Sequence, residues 1–300
     1  MYEVGNQKPQ FAQGRSSAAL TAFKVVGAIL GSALVGSVIV TVTNDWSVPA
    51  SEALSTRAWA GSVASIIILD ALPLLETGVI VSAFAIGLVG VSAAIFGLHF
   101  ASFITLARRF RWRMVAAGFC LVLAVQLGAL IAIVGLAAPT DPFVQLPNWP
   151  YAIAFCVIAL LFYVPAVLGE EVLFRGWLMR IIKRPFIVQF MFVMASATVF
   201  SFAHLQWDAS SFAMRFASGL AYAWSAIRLG GLELAFGAHL AKNASLVWLI
   251  GPPGEHRWEG NDYEVSGAIV FATSIALVAL VEVLVRRGAA AERRAPSVGS

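Results

Sequence analysis

Polar residues that could do chemistry occur at three places in an otherwise apolar chain. The first reads Gly-Glu-Glu-Val-Leu-Phe-Arg (169–175), the second Phe-Ser-Phe-Ala-His (200–204) and the third His-Leu-Ala-Lys-Asn (239–243). Each lies in a stretch apolar enough for a bilayer, where a charged side chain costs about 2.5–3.5 kcal/mol on insertion scales. Carboxylates, imidazoles and an amide at that depth therefore indicate function.

The spacing within each motif places its polar side chains on one helix face. Residues four apart are neighbours on a helix surface. Three pairs have this spacing: Glu171–Arg175, Phe200–His204 and His239–Asn243. The chain therefore predicts three helices whose polar faces converge inside a bundle.

These residue types fit hydrolysis of a polar bond. A desolvated carboxylate can take a proton from water, and a neutral imidazole can orient that water. A second imidazole and an amide can donate to the oxyanion of a tetrahedral intermediate. Arg175 most simply neutralises Glu171, which leaves Glu170 as the better candidate for the base.

Composition predicts an all-α fold, a polytopic membrane helical bundle of about eight transmembrane helices, within a range of seven to nine. Of 300 residues, 60% are hydrophobic and only 12% charged, against about 25% charged in soluble domains. Long apolar runs recur from Ala18 to Leu284. Basic residues gather at segment ends, which is the positive-inside pattern and not a nucleic-acid surface.

The predicted organisation has five parts. They are a polar N-terminal segment (1–17), N-terminal transmembrane helices (18–148), a core with the three motifs (149–250), an external loop with the last helix (251–285) and a basic, disordered cytoplasmic tail (286–300). The segment Ala58–Leu75, followed closely by Glu76 and interrupted by Asp70 and Pro73, is expected to be a half-helix or surface helix. The charge pattern predicts that the basic C-terminal tail of this multi-pass protein is cytoplasmic, and the expected location is a bacterial cytoplasmic membrane.

The three motifs, in this order, resemble those of the CAAX protease and bacteriocin-processing family of intramembrane endopeptidases. The family pattern is Glu-Glu-x-x-x-Arg, then Phe-x-x-x-His, then His-x-x-x-Asn, and the resemblance covers about Trp149 to Leu249. It implies a helical bundle with a catalytic chamber in the membrane. It also implies a role for each motif residue: Glu170 activates water, His204 assists, His239 and Asn243 support the oxyanion, and Glu171 and Arg175 brace the site.

The resemblance implies an endopeptidase that cleaves a membrane-associated or lipidated protein or peptide, with the lipid bilayer as its other partner and no nucleic acid. The oligomeric state stays open. No cofactor is required, although a divalent metal such as zinc, held by Glu170, His204 and His239, is an alternative because two His and a carboxylate can bind zinc. The single-helix H-E-x-x-H zinc motif is absent.

Three other functions remain open. One is a non-catalytic membrane scaffold of the same family. Another is a redox protein with a haem between His204 and His239, which leaves the glutamates and Asn243 unexplained. The third is a proton-coupled transporter. Among neighbouring residues, Phe200 is expected to be a packing residue, and Lys242 to snorkel or pair with Glu233.

Overall fold

The computed structural model describes residues 63–136, 149–180, 182, 184–205, 207–250 and 262–294, with scattered helical residues between 26 and 41. Across these ranges the fold is all-α, as predicted. The helices are α1 (Val63–Phe96), α2 (Trp112–Leu136), α3 (Trp149–Arg175), α4 (Phe186–Ala203), α5 (Ala209–Leu229), α6 (Glu233–Ile250) and α7 (Asp262–Arg294). The polar segment 1–17 and most of the predicted external loop lie outside the described residues.

Five of the described helices are long and apolar enough to cross a membrane. They are α1, α2, α3, α4 and α7, whose apolar stretches are Leu75–Phe96, Trp112–Ala129, Val157–Leu178, Phe186–Ala203 and Gly267–Gly288. The remaining two, α5 and α6, carry many of the polar residues discussed below. The protein is therefore a helical membrane bundle.

Two sequence expectations are wrong. Helix α1 runs without a break through Asp70, Pro73 and Glu76, so this region is not a half-helix. A proline removes only one hydrogen bond from a helix, and the 34-residue helix retains the rest on both sides. Helix α7 continues past Val285 to Arg294, so much of the tail is helical rather than disordered. The alanines at 289–291 have the highest helix propensity of any residue.

Helix α6 lies at the centre of the bundle and packs against α2, α3 and α5. Every residue from Gly231 to Ala241 is buried. Two glycines bring α2 and α6 into backbone contact: a Cβ on Gly118 would collide with the Leu234 carbonyl, and one on Gly237 with the Val115 carbonyl. These contacts fix α6, and with it the third motif.

The start of α6 is held by an ion pair with a residue that is distant in the sequence. Arg111 binds both carboxylate oxygens of Glu233, at 2.9 and 2.6 Å, and donates to the Leu229 carbonyl at 2.8 Å. The expected Lys242–Glu233 pair is therefore wrong. The two residues are nine apart, which is about 13 Å along a helix axis, and the planar guanidinium suits bidentate binding of a carboxylate.

The turns that flank α5 are set by local geometry. Asp208 caps the helix by accepting a 2.7 Å hydrogen bond from the Ser211 amide. Gly230 ends it in the left-handed region, at φ +65°, and its amide bonds the Ala226 carbonyl at 2.9 Å. Hydrogen bonds on either side of the Thr105–Gly231 bridge then join this turn to the loop before α2. The chain thus passes directly from α5 into α6.

Candidate active site

Glu171 and Arg175 form a fully buried ion pair on α3. Arg175 Nη1 donates to Glu171 Oε1 at 3.2 Å, and both side chains have 0% exposure. The same oxygen lies 2.8 Å from His239 Nδ1 on α6. Since a carboxylate oxygen only accepts, Nδ1 carries the proton in this bond. The predicted pair is present, and it also fixes the orientation of the His239 ring.

Glu170 is the neighbouring residue, and its environment differs. Its side chain is 16% exposed, and its Oε2 lies 3.7 Å from His239 Nε2, which is too long for a hydrogen bond. Among the described residues this buried oxygen has no hydrogen-bond partner. The two ring nitrogens of His239 therefore face two different glutamates, and only Glu171 has an arginine bound to it.

Phe200 on α4 packs against the cation of this pair. The Arg175 guanidinium carbon lies 4.1 Å from the centre of the Phe200 ring and 5.4 Å from that of Tyr222. Within the described part of the chain, Arg175 Nε and Nη2 make no hydrogen bond. Aromatic faces therefore supply much of the stabilisation of this buried charge, at about 2 kcal/mol or more for a desolvated cation–π contact.

The Phe200 ring also contacts both imidazoles of the motifs. It packs edge-on against His204, with centroids 4.7 Å apart, and against His239 at 5.8 Å. The Tyr222 ring of α5 stacks on the His239 ring, with centroids 4.9 Å apart and an interplanar angle of 22°. Phe200 is therefore more than the packing residue expected from the sequence, because it contacts Arg175 and both histidines.

His204 ends α4, and its ring is oriented by its own helix. Nδ1 lies 2.8 Å from the Phe200 carbonyl, so it donates, and Nε2 is left as the nitrogen available to the site. The next residue, Leu205, has φ +54°, a left-handed conformation that is rare for a bulky side chain. His204 lies within electrostatic range of Glu170 but makes no direct contact with it.

Asn243 lies one turn beyond His239 on α6 and is half-buried. It makes no hydrogen bond to any side chain or backbone group in the described part of the chain. The structure thus brings Glu170, Glu171, Arg175 and His239 together directly. It holds His204 beside them through Phe200 and leaves the Asn243 amide uncommitted on the same helix as His239.

Helix α5 contributes a polar face that the sequence analysis missed. The residues are Ser211, Arg215, Ser218, Tyr222 and Ser225, which recur every three or four positions. This is the spacing of one helix face, and it was the signal that could have found them. Four of the five are buried, and Arg215 is half-buried. A fourth helix therefore completes the site.

The residues do not assemble as a metal site. No three His, Cys, Asp or Glu side chains in the described ranges are arranged to hold a metal ion. In particular, Glu170 and His239 approach each other, but His204 is not joined to them in one ligand cluster. The expected zinc ligand set thus does not fit this geometry.

The comparison with protein families identifies the segment that carries this site. Residues 152–245 match the family model described as Type II CAAX prenyl endopeptidase Rce1-like. The segment is thus similar to this family. The match covers about a third of the chain, contains all three motifs and confirms the resemblance to CAAX protease and bacteriocin-processing proteins. No curated protein and no solved structure matches the chain.

The family match and the apolar helices together support two coarse statements. The protein is an integral membrane protein. The family that its residues 152–245 match is of the protease class. The matched residues run through most of α3 and α6 and all of α4 and α5, which are the four helices that build the site.

Proposed function

We propose that the protein is an intramembrane endopeptidase in which Glu170 activates water to hydrolyse a peptide bond. One observation carries the proposal. The buried Oε2 of Glu170 faces His239 Nε2 across 3.7 Å, while the adjacent Glu171 is occupied by Arg175 and by the other nitrogen of the same ring. Of the two neighbouring carboxylates, Glu170 is the one that is partly exposed and has no arginine bound to it, which makes it the better candidate for proton transfer.

The proposed reaction uses Glu170 twice. Its carboxylate takes a proton as the water oxygen attacks the carbonyl carbon of the scissile bond. It returns that proton to the amine nitrogen as the carbon–nitrogen bond breaks. His204, whose Nε2 is left available by the bond at Nδ1, assists in orienting the water.

The remaining motif residues stabilise the charge that develops on the carbonyl oxygen. The Asn243 amide has both its donors available, and His239 lies one turn earlier on the same rigid helix. Glu171 and Arg175 hold the His239 ring in place through Nδ1. Preorganised donors of this kind cost no reorganisation during the reaction.

The proposed substrate is a membrane-associated or lipidated protein or peptide. The family description names a prenyl endopeptidase, which supports a lipidated target. The site lies on helices of a membrane bundle, so a substrate anchored in the bilayer can reach it without leaving the lipid. The proposal includes a bacterial cytoplasmic membrane as the location, a cytoplasmic basic C-terminus, no nucleic-acid partner and no required cofactor.

The scaffold alternative is disfavoured by the same carboxylate. A buried glutamate kept only for stability is expected to bind a cation, as Glu171 binds Arg175, whereas Glu170 binds no arginine or lysine in the described part of the chain. A haem between the two histidines is disfavoured because the Phe200 ring packs against both imidazoles. Proton-coupled transport predicts uptake in vesicles without peptide products.

The test is cleavage of a mixed library of lipidated and plain peptides by the purified protein in nanodiscs, read by mass spectrometry. We expect products from wild type and from Glu76→Gln, which changes a glutamate of α1 outside the three motifs, and none from Glu170→Gln. Equal products from Glu170→Gln, or no products from any of the three, would overturn the proposal.

A further inference from the structure

Lys242 lies one turn after His239 on α6 and forms no ion pair in the described part of the chain. Its Nζ donates to Ser218 Oγ on α5 at 2.9 Å. Ser218 in turn donates to the Met214 carbonyl at 3.1 Å, so its hydroxyl oxygen is oriented to accept from the lysine. No carboxylate in the described part of the chain lies within ion-pair distance of Lys242. The ammonium has three donors and uses one.

The other ion pairs of the bundle show why this lysine is unusual. Glu171 is bound by Arg175, Glu233 by Arg111 and Glu282 by Arg228. Each of these carboxylates therefore binds an arginine, which lies on the same helix, on another helix or in the loop before α2. Lys242 is half-buried, and a cation in such a position is normally paired or faces a water-filled cavity. Among the described residues, Lys242 is thus a cation without a directly bound carboxylate.

The position of Lys242 connects it to the reacting groups. It is three residues after His239 and directly before Asn243, so the three side chains project from neighbouring parts of one turn of α6. Its charge attracts that of Glu170 and is opposed by those of Arg215 and Arg175. An anion entering the site would be repelled by Glu170 and attracted by these cations, with Lys242 offering unused donors.

We propose that Lys242, oriented by Ser218, binds a carboxylate of the substrate close to the scissile bond. This rests on the proposed function and deepens it, because it assigns a recognition element to the same site. A carboxylate fits because it accepts from an ammonium in a charge-assisted hydrogen bond. Its source is either the free C-terminus of the peptide or an Asp or Glu side chain. Lys242 is then a specificity-determining residue that touches the substrate.

The experiment compares matched peptides based on a sequence that wild type cleaves. Each is made with a free or an amidated C-terminus, and with Asp or Asn on the C-terminal side of the cut. We expect wild type to prefer one acidic form about tenfold in kcat/KM, mainly through KM, as for one charge-assisted hydrogen bond. The form that is preferred identifies the source of the carboxylate.

Four variants test whether Lys242 causes the preference for an acidic peptide. Lys242→Met, which keeps the length of the side chain, should abolish the preference, and Lys242→Arg should retain it. Ser218→Ala should weaken it while leaving Lys242 charged. Arg113→Gln, which removes an exposed charge of α2, should change nothing.

Two results would overturn the inference while leaving the proposed function intact. In one, wild type cleaves acidic and neutral peptides equally well. In the other, the preference exists but Lys242→Met retains it in full. If no peptide is cleaved in a Glu170-dependent manner, the proposed function fails first, and the assignment of Lys242 fails with it.

Discussion

Two adjacent glutamates on α3 have different environments, although the sequence presents them as equals. Glu171 is fully buried and shares one oxygen between Arg175 and His239. Glu170 has an oxygen 3.7 Å from the same imidazole and no cation bound to it. The spacing of four residues predicted which glutamate pairs with arginine. It could not predict that His239, 68 residues away, would lie between the two.

Removing one member of the buried pair should prevent folding in a large fraction of molecules. Glu171→Gln or Arg175→Ala leaves a buried charge unpaired, at a cost of about 3–5 kcal/mol. We expect a lower yield of monodisperse protein after size-exclusion chromatography in detergent. Glu282→Gln is the control, since it breaks a partly exposed pair worth about 0–1 kcal/mol. Equal yields from all three variants would show that the pair is not structural.

Phe200 should affect catalysis and stability together. Phe200→Leu removes the aromatic face under Arg175 and the edge contacts to both imidazoles. We expect a lower melting temperature and at least about a tenfold loss of kcat, because misplaced catalytic groups slow the reaction steeply. Phe190→Leu, at an exposed position on the same helix, is the matched control. If Phe200→Leu were as active as Phe190→Leu, Phe200 would be only a packing residue.

At the scale of the helices, the motif spacings predicted three converging polar faces, on α3, α4 and α6. The fourth face, on α5, was missed because its serines, Arg215 and Tyr222 are not part of a compact motif. The sequence also could not reveal how α6 is fixed. Its start depends on Arg111, which is 122 residues from Glu233 in the chain, and its middle depends on glycine contacts with α2.

The backbone contact between α2 and α6 gives a prediction with a clear control. Gly237→Ala places a methyl group against the Val115 carbonyl, so the helices must separate, which costs about 1–3 kcal/mol as overpacking does. Gly90→Ala on α1 meets no atom within 4 Å and should be neutral or stabilising. Thermal unfolding followed by tryptophan fluorescence compares them. An unchanged melting temperature for Gly237→Ala would contradict the close approach.

At the scale of the whole molecule, composition was sufficient to predict a helical membrane bundle, because no soluble core needs so much apolar surface. It was less informative about ends and interruptions. Pro73 did not break α1, and the alanines after Gly288 prolonged α7. In both cases the helix continues through a residue that disfavours helix, Pro73 in α1 and Gly288 in α7.

The arrangement of the possible metal ligands allows us to predict whether hydrolysis depends on a metal. Since Glu170, His204 and His239 do not form one ligand cluster in the described structure, hydrolysis should proceed without a metal. We expect cleavage rates within about twofold of the untreated enzyme after prolonged dialysis against a chelator. A loss of activity that zinc restores would contradict the metal-free mechanism.

Glu170, and not its neighbour Glu171, is the residue that we propose activates the water. The most direct measurement is peptide cleavage per mole of correctly folded protein by wild type, Glu170→Gln and Glu171→Gln in nanodiscs. We expect Glu170→Gln to fold normally and to produce no cleavage. We expect Glu171→Gln to fold poorly, while its folded fraction retains measurable activity. Cleavage by folded Glu170→Gln at the wild-type rate would contradict the proposal.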